Sequence, residues 1–137
     1  MAQNAAFGTI IAIDNGGVYS TVAFVRDVSG PNLSLDTIEV TTHGSTGGWR
    51  EFIPGLLDGG DVTLDLFLDT ASATQGNSTG ILSEITGRTV EGFRITWPDA
   101  TTATFNALVT SWQPGAVVDG AMTGSVTLKV TGAVTFA

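Results

Sequence analysis

Apolar and polar residues along most of this chain alternate with a period of two, the spacing of a strand with one face buried and one face wet. In residues 61–69, Val62, Leu64, Leu66 and Leu68 fall on one face and Asp61, Thr63, Asp65 and Asp69 on the other, interrupted only by Phe67. This predicts a half-buried antiparallel strand with an acidic outer face. Residues 20–28 predict a second strand, stopped by the turn cluster Ser29-Gly30-Pro31-Asn32. Residues 33–42 predict a third, with Ile38 and Val40 on one face and Glu39 and Thr41 on the other. A fourth covers residues 90–97, after which Pro98 and Asp99 set a tight turn. Residues 102–112 then fold back as its hairpin partner, with Phe105, Ala107 and Val109 opposed to Thr104, Asn106 and Thr110. The last run, 122–136, turns Val126, Leu128 and Val130 inward. It presents Thr123, Ser125, Thr127, Lys129 and Thr131 outward, a ladder suited to cross-strand hydrogen bonding. Residues 7–13 are a candidate N-terminal strand.

One segment departs from this period. In residues 79–86, Ile81, Leu82 and Ile85 follow helical spacing, with Ser78 or Thr79 as the cap and Gly87 as the stop, so one short helix is expected. Two further segments follow neither period: the polar linker 70–78, and a long glycine-rich stretch at 43–60. The latter mixes six glycines with Trp49, Arg50, Phe52, Ile53, Leu56 and Leu57. A loop of that length in a strand-rich domain serves a purpose. Its glycines predict mobility and its large apolar groups require burial. It therefore reads either as a segment that orders on a partner or as a β-hairpin arm or flap folded on its own domain. The fold class expected is mainly β with one short α-helix, a β-sandwich or distorted barrel, in a single domain spanning 1–137.

Composition narrows the function. At 137 residues and 14.1 kDa, the chain can bury a core without disulfides, folding to roughly 6,700 Å² of accessible surface. It has no cysteine, which excludes disulfide scaffolds, thiol catalysis and Cys-based metal sites. It has one histidine, His43, which excludes sites needing two. Five basic residues against 13 acidic ones give a net charge of −8. Five scattered cations cannot form the basic stripe that binding to nucleic acid needs. Charged residues are only 13% of the chain, about half the usual share, and mean hydropathy is +0.29. Either Thr, Ser, Asn and Gly solvate the surface, or other chains cover much of it. The first residues lack the basic start of a secretory signal, and residues 100–118 alternate rather than run apolar, so a soluble protein made inside the cell is expected, with no membrane span.

Candidate chemistry is sparse. His43 precedes Gly44 and Ser45 without a nucleophile elbow, and reads as a turn residue. The acid pairs Asp58/Asp61 and Asp65/Asp69 read as solvated strand-face carboxylates rather than a glycosidase pair. Leu57-Asp58-Gly59-Gly60-Asp61 offers oxygen ligands for calcium, but without the spacing of an EF-hand loop. Trp49, Trp97 and Trp112 could stack on sugar in a carbohydrate-binding sandwich, or fill a core or subunit interface.

The stretch running from Thr37-Ile38-Glu39-Val40 through His43-Gly44-Ser45-Thr46-Gly47-Gly48-Trp49-Arg50-Glu51-Phe52-Ile53-Pro54-Gly55-Leu56-Leu57 to Asp61-Val62 resembles the core signature of the major tail tube proteins of long-tailed bacteriophages. Thr79-Gly80-Ile81-Leu82, Phe93-Arg94-Ile95-Thr96-Trp97-Pro98-Asp99, Val118-Asp119-Gly120-Ala121-Met122 and Val126-Thr127-Leu128-Lys129-Val130-Thr131-Gly132 extend the resemblance over most of the chain from about residue 35. It implies a structural virion protein, not an enzyme, without cofactors and made in the host cytoplasm. It implies hexameric rings stacked into a hollow tube whose inner barrel is built from strands of all subunits. DNA passes through it without specific binding; a tape-measure protein, a tail terminator and tail-tip or baseplate proteins are its partners. On this reading the chain is the tube domain alone. Trp49, Arg50, Phe52, Ile53 and Leu56 are the candidate subunit interface, Asp65 and Asp69 the candidate lumen-facing acids, and Ala2 to Phe7 a candidate arm. The alternatives are a carbohydrate-binding module, or another ring-forming tail part such as a terminator or baseplate hub.

Overall fold

The computed structural model describes residues 7–69, 71–76, 80–116, 118 and 120–137. Among these the chain forms β1 (Ile10–Asn15), β2 (Val18–Thr21), β3 (Val25–Ser29), β4 (Ser34–Glu39), β5 (Phe52–Asp58), β6 (Asp61–Phe67), helix α1 (Ile81–Gly87), β7 (Val90–Thr96), β8 (Thr102–Gly115) and β9 (Thr123–Phe136). Seven strands pair antiparallel in the order β2-β1-β7-β8-β9-β6-β3, while β4 and β5 form a separate two-stranded sheet.

The order of the large sheet dictates its curvature. Its two outermost strands, β2 and β3, are consecutive in the chain and joined only by Val22, Ala23 and Phe24. Such a link reaches about 15 Å, whereas seven strands laid flat would hold their edges about 29 Å apart. The sheet must therefore wrap until its edges approach. The link touches both: Val22 N–H donates to Ile11 of β1 at 2.9 Å, and Phe67 N–H at the end of β6 donates to Phe24 at 2.9 Å. The result is a strongly curved antiparallel sheet whose outer strands β2 and β3 approach without pairing, within the mainly β class expected. Residues 20–28 are not one strand but the end of β2, this crossing and most of β3, with Phe24 in the left-handed region at φ 59°.

Inside the wrapped sheet lie the residues the period of two selects. Val62, Leu64, Leu66, Phe105, Ala107, Val109, Val126, Leu128 and Val130 are all buried, with Ile11, Ile13, Phe93 and Ile95 from β1 and β7. Phe93 and Phe105, opposite each other in the β7–β8 ladder, stack at 6.1 Å. The expected turn after β7 forms at Trp97–Thr101, where the Asp99 carboxylate accepts from Thr101 N–H at 3.0 Å.

The helix begins two residues later than its pattern suggested and ends one later, and packs Ile81 and Ile85 against the core. Ser78 and Thr79, the expected caps, lie outside the described residues. The first turn is satisfied by backbone instead: Ile81, Leu82 and Ser83 N–H donate to the carbonyls of Thr74, Gln75 and Gly76. A Cβ on Gly80 would lie 2.5 Å from that same segment, so glycine is required at the helix entry. Beyond Gly87, Arg88 takes the left-handed closing position at φ 56°.

Candidate functional site

Residues 43–60 are not an irregular loop. Residues 52–58 of that stretch are strand: β5 pairs with β4 through Ser34↔Asp58, Leu35↔Leu57, Thr37↔Pro54, Ile38↔Ile53 and Glu39↔Phe52. A bulge falls between Leu35 and Thr37, where the backbone of Asp36 comes within 3.1 Å of where a Cβ on Gly55 would stand. The result is a hairpin arm whose two strands, among the described residues, pair with no other strand. The tip is a network of short polar side chains. Glu51 N–H donates to Thr41 Oγ1 at 2.9 Å, and Ser45 Oγ donates to Glu51 Oε2 at 2.9 Å. Thr42 N–H donates to Ser45 Oγ at 3.0 Å, and Arg50 pairs with Glu39 at 3.7 Å. A 3-10 turn at Thr46–Gly48 leads into Trp49, whose indole lies over Gly47. His43 is an exposed turn residue on this tip.

The arm is apolar and uncovered. Of the predicted interface residues, Leu56 is 81% exposed, Trp49 77%, Phe52 52% and Ile53 47%. Arg50 is exposed beside them. Ile38 and Val40, which share one face of the strand pattern, are exposed as well. The five predicted residues therefore share one element, though on both of its faces: Ile53 sits across from Ile38, and Phe52 across from Glu39. A two-stranded sheet is marginal alone in water, and contiguous apolar surface marks an interaction site. The accessible surface of the chain, 8724 Å², exceeds that of a compact monomer of its mass by about 2,000 Å².

The second surface is the outer face of β8-β9-β6-β3. Here Gln113, Ser125, Asp65 and Asp27 succeed one another across the strands, and Ser111, Thr127, Thr63 and Ser29 form a parallel row. Ser125 Oγ donates to Asp65 Oδ1 at 2.9 Å. The bulge between Val25 and Asp27 carries Arg26, whose guanidinium lies 5.0 Å from the ring centre of Phe67. That covers the one apolar side chain interrupting the polar face. Asp69, assigned by alternation to the same face, is not on it. The strand ends at Phe67, and Asp69 is a half-buried turn residue whose carboxylate accepts from Ala71 N–H at 3.1 Å.

Between the two surfaces lies the root of the arm. The Asp58 carboxylate accepts from Gly60 N–H at 2.9 Å, and the Lys129 ammonium stands 3.6 Å from Asp58 and 3.8 Å from Asp61. The Gly60 amide first, and Lys129 second, hold the Asp58 carboxyl below the usual carboxylate range. The loop read as a possible calcium turn thus carries a lysine at its centre. Lys129 is adjacent to this turn only through the β6–β9 ladder, a pairing that no local sequence signal could reveal. The three tryptophans are dispersed: Trp49 is at the arm's tip, while Trp97 and Trp112 are half-buried against the core, so they form no common stacking platform. No helix among the described residues is long and apolar enough to cross a membrane.

A wrapped β-sheet with a solvated outer face and a projecting apolar arm defines an assembly subunit. The particular kind follows from comparison: the family model of the lambda phage tail tube protein matches residues 10–137, and the chain belongs to that family. It is a structural component of the virion tail, polymerising into the tail tube, and not an enzyme. Solved structures with the same fold include the tail of an empty gene transfer agent particle refined helically with C6 symmetry (21% identity, 99% of either chain, TM-score 0.77). A second is the virion of the native gene transfer agent (21% identity, 99% of either chain, TM-score 0.79). A third is the SPP1 tail tube (15% identity, 93% of this chain and 75% of that one, TM-score 0.68). No curated protein sequence matches the chain.

Proposed function

We propose that residues 1–137 act as one tail-tube domain forming rings of six, stacked through the β4–β5 arm into the conduit that DNA traverses. The observation that carries this reading is the arm itself: a hairpin built at its tip by a specific polar network, yet with Trp49, Phe52, Ile53 and Leu56 all open to solvent. Burying such side chains contributes about 1.5–3 kcal/mol each, which makes a neighbouring ring a strong sink for the arm. Sixfold rings are supported by the C6 symmetry of the gene transfer agent tail that shares the fold. A shared inter-subunit barrel would also occupy the open edges of β2 and β3, which otherwise invite aggregation.

The polar face of β8-β9-β6-β3 suits the lumen, with Asp65 central on it; Asp69, beyond the end of β6, is not part of that wall. Most side chains of its two rows are short, and the nearby cations are engaged, Lys129 by Asp58 and Asp61 and Arg26 by Phe67. A wall of this kind repels phosphate and gives DNA nothing to adhere to at successive rings. The tape-measure protein, the terminator and tail-tip or baseplate proteins are the partners this role requires. Heterologous stacking has no intrinsic end, so length must be set by such partners.

Negative-stain electron microscopy of the purified protein at low and high concentration tests the reading. Hollow tubes with a regular ring repeat are expected, and single closed rings would instead indicate a terminator or hub part. Trp49→Ala should give a folded subunit that stacks poorly; normal tube length and yield in that variant would overturn the arm as the ring contact.

A further inference from the structure

The arm must point in one direction to meet a neighbour, and little of the body holds it. Among the described residues its strands pair only with each other, and of the other elements β5 touches chiefly β9. The chain enters the arm through Gly30-Pro31-Asn32 and leaves it through Gly59-Gly60. Gly30 and Gly60 have φ +109° and +70°. These crossings are packed closely. A Cβ on Gly60 would stand 2.2 Å from the Asn32 carbonyl, and one on Gly59 2.5 Å from Val130. Close packing of glycines sets where the root sits, but glycine backbone resists rotation weakly. Leverage makes rotation consequential: over a seven-residue strand, about 24 Å, a swing of about 10° moves the tip by about 4 Å, enough to separate fitted apolar surfaces.

Among the described residues, a pair of ion contacts made by one side chain crosses this root. Lys129 in β9 reaches Asp58, the last residue of the arm, and Asp61, the first residue of the sheet beyond the turn. It is directly opposite Asp61 in the β6–β9 register, and Val130 N–H donates to Gly60 at 3.0 Å beside it. The oxygen that Lys129 approaches, Asp58 Oδ1, also accepts from the Gly60 amide, which fixes the orientation of the carboxylate at the turn. Lys129 is the one lysine in the chain.

We infer that Lys129 is the positioning residue of the tube contact: by tying Asp58 to the sheet it sets the angle of the β4–β5 arm, and thereby the fit of the arm to the next ring. The inference rests on the arm being that contact. Exposed ion pairs add little to global stability, and here the effect falls on direction rather than on folding.

The chain has no cysteine, so a pair of spin labels can be placed cleanly at His43→Cys on the tip and Ser111→Cys on β8, both exposed. The inter-label distance distribution in the free subunit is then measured with and without Lys129→Met and Lys129→Arg. The critical concentration for tube growth is measured in the same variants. Lys129→Met should broaden the distribution and raise the critical concentration about two- to fivefold, with the unfolding midpoint within about 2 °C of the parent; Lys129→Arg should restore both readouts. Chemistry gives the same test without mutation: acetylation, which removes the lysine charge, should mimic Met, and reductive methylation, which keeps it, should not. A distribution unchanged in Lys129→Met, an unrestored one in Lys129→Arg, or a broadened one with unaltered assembly would each overturn the inference. If the ring-contact reading fails instead, Trp49→Ala assembles like the parent while its own distance distribution stays narrow.

Discussion

The side-chain amide of Gln75, 1% exposed, bonds three backbone groups that the wrapped sheet would otherwise leave unpaired. Its Nε2 donates to the carbonyls of Ala23 and Phe67, and its Oε1 accepts from Asp69 N–H at 2.9 Å. Thr74 Oγ1 completes the set by accepting from Ala23 N–H at 3.0 Å. The link between the outer strands of the curved sheet is thus sealed by two side chains from the segment before the helix. Leaving a buried polar group without a partner costs about 1–3 kcal/mol. Gln75→Leu should therefore lower unfolding free energy by about 3 kcal/mol or more in a urea titration. Gln75→Glu, near-isosteric but lacking the two donors, should be no better at neutral pH. At the arm's root, Asp58 makes a second prediction. Its carboxyl is depressed by the Gly60 amide and Lys129. The stabilisation it contributes is therefore complete above its unfolded value and lost as pH falls through the lower folded one. The Gly60 amide resonance should titrate with a midpoint below about 3.9, and Lys129→Met should raise that midpoint only part of the way back.

At the scale of elements, the contrast lies between β6 and β5. Alternation identified β6 because one of its faces is buried, a constraint that shows in every second residue. It missed β5, whose residues Phe52-Ile53-Pro54-Gly55-Leu56-Leu57-Asp58 show no alternation because neither face meets the core. Pro54 is tolerated because β5 is an edge strand, and Gly55 because the bulge brings Asp36 against it. The helix was legible in Ile81 and Ile85, but its first turn is closed by carbonyls of residues 74–76, which no cap motif records. The arm's exposure also separates folding from assembly. Trp49→Ala, a truncation at a 77% exposed position, should change unfolding free energy by no more than about 0.5 kcal/mol while reducing stacking.

For the whole molecule, charge is the consequential property. The net charge of −8 is not spread evenly. On the outer face Asp27 and Asp65 stand directly opposite each other, an arrangement that costs stability unless it serves something else. Repelling phosphate along a lumen is such a service. Reversing the charge with Asp65→Lys should leave tubes that form but retain duplex DNA in co-sedimentation at low salt, released as salt rises. Tubes of the parent protein should retain none. Sparse charge elsewhere and an accessible area about 2,000 Å² above the compact expectation belong together, since surface destined for neighbours need not be charged.

By itself the sequence determined the strand-rich class, the inward residues of β6, β8 and β9, the short helix, and the resemblance carried by residues 37–62 and 93–99. Each of these rests on local periodicity or on a contiguous motif. Tertiary structure alone decided the rest. The joining of the outermost strands by Val22–Phe24 curves the sheet; Gln75 seals that crossing; Asp69 leaves the acidic face because the strand ends two residues earlier. The stretch from 43 to 60 becomes an arm rather than a loop, and Lys129 meets Asp58 across 71 positions of sequence. These are contacts between residues distant in the chain, set by ladder register and chain reach, and a register pairing leaves no mark in the residues on either side of it.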